Sequence, residues 1–120
     1  MNTQHKTWKD QVVYAIEADF DDIPIRGNAI VSGDENFDRE VEDELIERVN
    51  NGDVWAWASV KVIASIPGIE LEGADYLGGC SYRDEEDFQQ GGYYEDMKER
   101  ALEDLEKQIH AVFKLTPKED

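Results

Sequence analysis

The sequence predicts an α+β fold: a small, mainly antiparallel sheet of three to four strands with two helices packed on one face. Three observations lead there. Apolar residues alternate from Val12 to Phe20 and again from Val54 to Ile66, the period of half-buried strands. Two further stretches carry apolar residues at spacings of three and four, the period of amphipathic helices. At 120 residues the chain is long enough for one core and too short for two. Helices that each bury one stripe must lay it on a sheet, so a two-layer domain is the economical arrangement.

The elements follow in order. Residues 1–6 are polar and expected to fray. From Trp8 to Phe20, Val12, Tyr14, Ile16, Ala18 and Phe20 share one face of a first strand, with Glu17 and Asp19 on the other. Pro24 turns the chain, since it fixes its own φ and biases Ile23 toward extended geometry. Ile25 to Ser32 then reads as a second strand, with Gly27-Asn28 as a bulge.

"SGDENFDREVEDELIERVNNGD" is the clearest helix. Asp34 can cap it, acids crowd its first turn, and Gly52 suits a left-handed residue past its end. Phe37, Val41, Leu45 and Val49 form its stripe, widened by Ile46. "DVWAWASVKVIASIPG" reads as one long strand. Val54 to Ile66 line its small apolar side, Trp55 and Trp57 share the opposite side, and Pro67-Gly68 ends it. Ile69 to Glu72 is a short extended stretch, which leaves the fourth strand open. The last helix spans about 92–115, with Tyr94, Met97, Ala101, Leu105, Ile109 and Val112 inward and Leu102 and Phe113 broadening that face. Residues 116–120 are expected to be loose, and the chain shows no repeats and no linker.

Charge is the outlier. Twenty-nine acids against twelve bases give a formal net charge of −17, and the acidic segments also carry apolar periodicity. The acid therefore belongs to a folded scaffold. It repels phosphates and anionic membranes, so direct nucleic-acid or membrane binding is not expected. Adaptation to salt or solubility would give a similar composition. One cysteine excludes an internal disulfide, and no apolar run resembles a signal or a membrane span, which points to the cytoplasm.

Enzymatic chemistry finds little support, and no catalytic residue, metal site or cofactor is assigned. Cys80 follows two glycines that could supply backbone donors, but carboxylates surround it and disfavour a thiolate. The two histidines are His5, in the frayed terminus, and His110, late in the last helix. A small cysteine packed in a tight turn is the better reading. "DENFDRE" from Asp34 begins like a calcium loop, then places Arg39 where glycine is needed and Leu45 where glutamate is needed. Glu106 and His110, four apart, supply only two ligands. "LGGC" lacks the glycine spacing of a phosphate loop.

What remains is the acid. The last helix carries six acids over fifteen residues, one per ~4 Å of rise, against one phosphate per ~3.4 Å along a DNA strand. Lys98, Arg100 and Lys107 cancel half of this through Asp96–Arg100 and Glu103–Lys107 pairs. "RDEEDF" and the acidic side of the first helix are less neutralised. The candidate contact residues are Glu42, Asp43, Glu47, Asp84, Glu85, Glu86, Asp87, Glu95, Asp96 and Glu99.

The stretch "DYLGGCSYRDEEDFQQGGYYEDMKERALEDL", after the strand "WAWASVKVIAS", resembles a group of small phage and prophage proteins. The likeness rests on the tryptophan-bearing strand, "CSY", "EEDF" and "YYEDM", and covers residues 53–107. No activity is attached to that group, so no functional residue carries over. The resemblance implies a phage or mobile-element origin and action in the host cytoplasm. By a looser analogy of size and charge, the chain is similar to DNA-mimicking anti-restriction and anti-CRISPR proteins. The expected function is thus an inhibitor whose acidic surface occupies the basic channel of a nucleic-acid-binding host or defence protein. The alternative is a small phage accessory or assembly protein that binds through Trp55, Trp57, Tyr93 and Tyr94.

Overall fold

A computed structural model describes residues 7–115, with side chains through residue 112. The expectations for residues 1–6, for His5, for the Phe113 side chain and for residues 116–120 lie outside the described residues. The fold is α+β, built on a three-stranded antiparallel sheet in the order β1-β2-β3. The strands are β1 (Val13–Phe20), β2 (Ala58–Ser65) and β3 (Glu72–Cys80). The helices are α1 (Glu35–Asn50), α2 (Glu85–Gln90) and α3 (Tyr93–Leu115).

β1 and β2 pair in register from Val13↔Ser65 to Phe20↔Ala58. Directly paired residues share a face, so Tyr14, Ile16 and Ala18 lie beside Ala64, Val62 and Val60. This face is the core. Val60, Val62 and Ala64 are fully buried beneath Met97, Ala101 and Leu105 of α3 and Phe88 of α2. The helical stripe read from Tyr94 to Ile109 is the one that packs, and Val112 at its end is about half exposed. The two helices on that face are α2 and α3, whereas α1 packs against the turn that precedes β2.

α3 crosses β3 at close range. A Cβ placed on Gly73 would lie 2.1 Å from the Ala101 carbonyl oxygen and 2.3 Å from the Leu105 nitrogen. Only hydrogen at this position lets the helix backbone approach so near. Asp104 reinforces the contact by accepting the Ala74 N–H at 3.0 Å, and Gln108 donates to the Glu72 carbonyl at 2.6 Å.

Several expectations are corrected. Trp8–Gln11 is a short 3-10 turn, so the first strand begins at Val13. Ile25–Ser32 is not a strand: Asn28 and Ala29 both donate to the Ile25 carbonyl, and Gly27, at φ 80°, closes a turn. Gly27-Asn28, read as a bulge, is turn chemistry. The long second run does not extend as a strand from Asp53. Asp53 caps a 3-10 turn at Val54–Ala56, its carboxylate accepting the Trp55 N–H at 3.1 Å, and β2 starts only at Ala58.

The Gly-Gly-Cys segment is not a tight turn but the end of β3. The register steps from Val60↔Leu77 to Ala58↔Cys80, so β3 carries one extra residue, a bulge with Gly79 at φ 59°. "EEDF", to which the sequence assigns no element, opens α2, because Asp84 caps it and Phe88 has a core site to fill.

Candidate functional site

The ten predicted contact residues separate into two kinds. Glu42 points inward and is 8% exposed. Its Oε2 accepts the Gly27 N–H at 2.8 Å and its Oε1 accepts from Arg26 at 3.2 Å. Asp43 is exposed but takes the other guanidinium nitrogen of Arg26, whose pKa is raised chiefly by these two carboxylates, Asp43 first. These two acids clamp the loop between β1 and α1. Asp38, one turn earlier, does the same for Ser32, accepting its N–H at 3.1 Å and its hydroxyl at 2.6 Å. The expected display on α1 therefore reduces to Glu47, with Glu42 corrected to an interior role.

Asp84 and Asp87 also have local work. Asp84 accepts the Asp87 N–H at 2.9 Å as the cap of α2. Asp87 accepts the Arg83 N–H at 3.0 Å and meets its guanidinium at 3.4 Å, and the backbone bond is the main reason its pKa is lowered. Carboxylates at a helix start are stabilised by the unpaired N–H groups there, so part of the "DEED" cluster is explained by folding.

Besides Glu47, five acids remain displayed: Glu85 and Glu86 on α2, and Glu95, Asp96 and Glu99 on the first turns of α3. The two helices pack on each other across Gly91-Gly92, so these residues lie on adjoining helices. Glu95 meets Lys98 at 2.7 Å, and Lys98 lies 4.7 Å over the Tyr94 ring. The ion pair with Glu95 is the main cause of its raised pKa. Arg100 does not pair with Asp96 as expected. It reaches across to Asp75 on β3 at 2.8 Å, leaving Asp96 less neutralised. Likewise Lys9, and not Lys107, contributes an ion pair to the far end of α3, to Glu106 at 3.4 Å.

The tryptophans do not share a face. The 3-10 turn sends Trp55 into the core, 5.6 Å from Phe88 and 6.4 Å from Tyr82 by ring centroids. Trp57 is 5% exposed, donates its indole N–H to the Ile23 carbonyl at 2.7 Å and lies under Gly79. Tyr94 packs on Phe88, so of that aromatic set only Tyr93 is exposed.

Cys80 is half-buried and donates to the Ala58 carbonyl at 3.3 Å. Burial, then the charge of Asp21, pushes its pKa from 9.0 up to about 11. His110 cannot serve as its base. Gln108, two residues away on α3, bonds Glu72 at the start of β3, and eight residues of strand separate Glu72 from Cys80, roughly 25 Å. Among the described residues, no three His, Cys, Asp or Glu side chains converge as a metal site. No helix among them is long and apolar enough to cross a membrane.

Two features escape sequence reasoning. Arg48 joins three segments, bonding Asp53 at 2.8 Å and the Tyr82 carbonyl at 2.7 Å. An apolar cleft of about 260 Å³ opens between the Asp21–Arg26 loop, α1 and Trp57. No family model, curated protein or solved structure matches this chain.

Proposed function

We propose that this chain is a non-enzymatic binding protein that offers the acids of α2 and α3 to the basic surface of a nucleic-acid-binding protein, an inhibitor of the phage or mobile-element kind. The observation that carries this reading is the placement of Glu85, Glu86, Glu95, Asp96 and Glu99 on two packed helices, exposed, with only Lys98 paired among them. A net charge of −17 supplies the long-range attraction that speeds encounter with a cationic partner. The raised thiol pKa of Cys80, and its distance from His110, agree with a role in binding rather than catalysis.

The test is a variant that neutralises the display while sparing the caps: Glu85→Gln, Glu86→Gln, Glu95→Gln, Asp96→Asn and Glu99→Gln. Immobilised parent protein is expected to retain nucleic-acid-binding proteins from a bacterial lysate at low salt, to release them at high salt, and to lose them when DNA is added. The five-residue variant is expected to retain few of them. Equal retention by the variant would rule these acids out as the contact surface.

A further inference from the structure

The cleft beside Trp57 is walled by Phe20, Ile23, Ile25, Ile46, Val49 and Trp57. At about 260 Å³ it is smaller than a usual ligand pocket of ~300–1,000 Å³, yet larger than the ~150 Å³ cavity that takes a benzene. It suits one large side chain. Phe20 and Ile23 are 48% and 45% exposed, so the cleft opens to solvent.

The polar groups around it are already satisfied. The Trp57 indole N–H is bonded to the Ile23 carbonyl. Asp21 accepts the Ile23 N–H at 2.8 Å and the Gly79 N–H at 2.6 Å, and Arg26 is held by Glu42 and Asp43. An occupant is therefore offered chiefly apolar contact, with the Asp21 carboxylate and the Arg26 guanidinium already engaged by the protein. A polar ligand would leave its own groups unpaired on entry. The same bonds hold the walls in place beforehand, which lowers the ordering cost of binding.

Charge decides what flanks the occupant. Asp22 and Glu47 are exposed chain neighbours of the lining residues and have no ion pair among the described residues. Asp43 and Glu42 more than offset Arg26, the only base lining the cleft.

We infer that this cleft is an anchor pocket for a basic polypeptide, taking one large apolar side chain flanked by lysine or arginine. The inference rests on the reading of the chain as an acidic binding protein and adds the contact that gives specificity. Charge steers the encounter, and a buried apolar anchor near the centre of an interface holds the complex.

The test compares two peptides, Lys-Lys-Phe-Lys-Lys and Lys-Lys-Ala-Lys-Lys, by NMR titration of the whole chain. The phenylalanine peptide is expected to bind about tenfold more tightly and to shift the Trp57 indole N–H resonance. Ile23→Ser should remove this preference while leaving the alanine peptide's binding unchanged. Phe20→Ser provides a second variant, and both sites are half exposed, so thermal melting should confirm that the fold persists. Equal affinity for the two peptides, or shifts confined to α2 and α3, overturns the pocket. The acidic-surface reading fails separately, if the five-residue neutral variant retains nucleic-acid-binding proteins from a lysate as well as the parent does, whatever the two peptides do at the cleft.

Discussion

Cys80 shows how a single environment decides a residue's chemistry. Its immediate neighbours in the chain are two glycines and a serine, small residues that by themselves would leave the thiol open to solvent. The fold instead places it against β2, half-buried and near Asp21, and both conditions oppose a thiolate. A pKa near 11 in place of 9.0 means about a hundredfold less thiolate at pH 8. Alkylation by iodoacetamide at pH 8 is therefore expected to be about a hundredfold slower than for a free cysteine, and to equalise in denaturant. The linkage has a definite sign. A thiol whose folded pKa is raised stabilises the fold at pH below 9 and loses that contribution as pH rises through 11. Chemical-denaturation midpoints measured across that window should fall more for the parent than for Cys80→Ser. Glu42 makes the complementary point, because its sequence context as one acid among seven on a helix suggests a solvent role. What turns it inward is the unpaired N–H of Gly27 and the guanidinium of Arg26.

At the scale of elements, helix–sheet contact is the most demanding feature. Gly73→Ala would drive a methyl into the backbone of α3, and backbone cannot yield as a side-chain tip can. A loss of about 3 kcal/mol in unfolding free energy is expected, since over-packing of a rigid site lies at the upper end of such effects. Gly92→Ala is the comparison. It meets open space but has φ 94°, so the loss should be nearer ~1 kcal/mol from backbone strain alone. Urea titrations of both variants measure the difference, and similar losses would show that α3 can lift away from β3.

The helices were legible because their period and caps are local. Asp34 and Gly52 bound α1 as expected, and α3 runs from Tyr93 within one residue of its predicted start. The strands were less so. Alternation continues through Val54–Ala56, yet the Asp53 side chain captures the Trp55 N–H and winds a turn there. Ile25–Ser32 has strand-like composition, but its polar backbone groups find partners within the loop and on α1 and none on a neighbouring strand.

For the whole molecule, the acid that marks the chain is divided between folding and display. Glu42, Asp43, Asp38, Asp84 and Asp87 hold loops and helix starts, while Glu85, Glu86, Glu95, Asp96 and Glu99 face solvent. A net charge of −17 still acts against the compact state. Added sodium chloride should therefore raise the melting temperature, most steeply where the Debye length shortens from ~30 Å to ~8 Å between 0.01 and 0.15 M. A melting temperature that falls over that range would mean that the ion pairs of Arg26, Lys98 and Arg100 outweigh the repulsion.

By itself the sequence determined the class of fold, the extent of α1 and α3, the face of α3 that packs, and the excess of acid, because periodicity, capping and charge are carried by neighbouring residues. Only the tertiary structure decided which carboxylates are displayed, that Trp55 and Trp57 part, and that a cleft opens beside Ile23. Those outcomes depend on which backbone and guanidinium donors come within reach of each side chain. Such donors, Gly27 and Arg26 for Glu42 or Gly79 for Asp21, lie 15, 16 and 58 residues away along the chain.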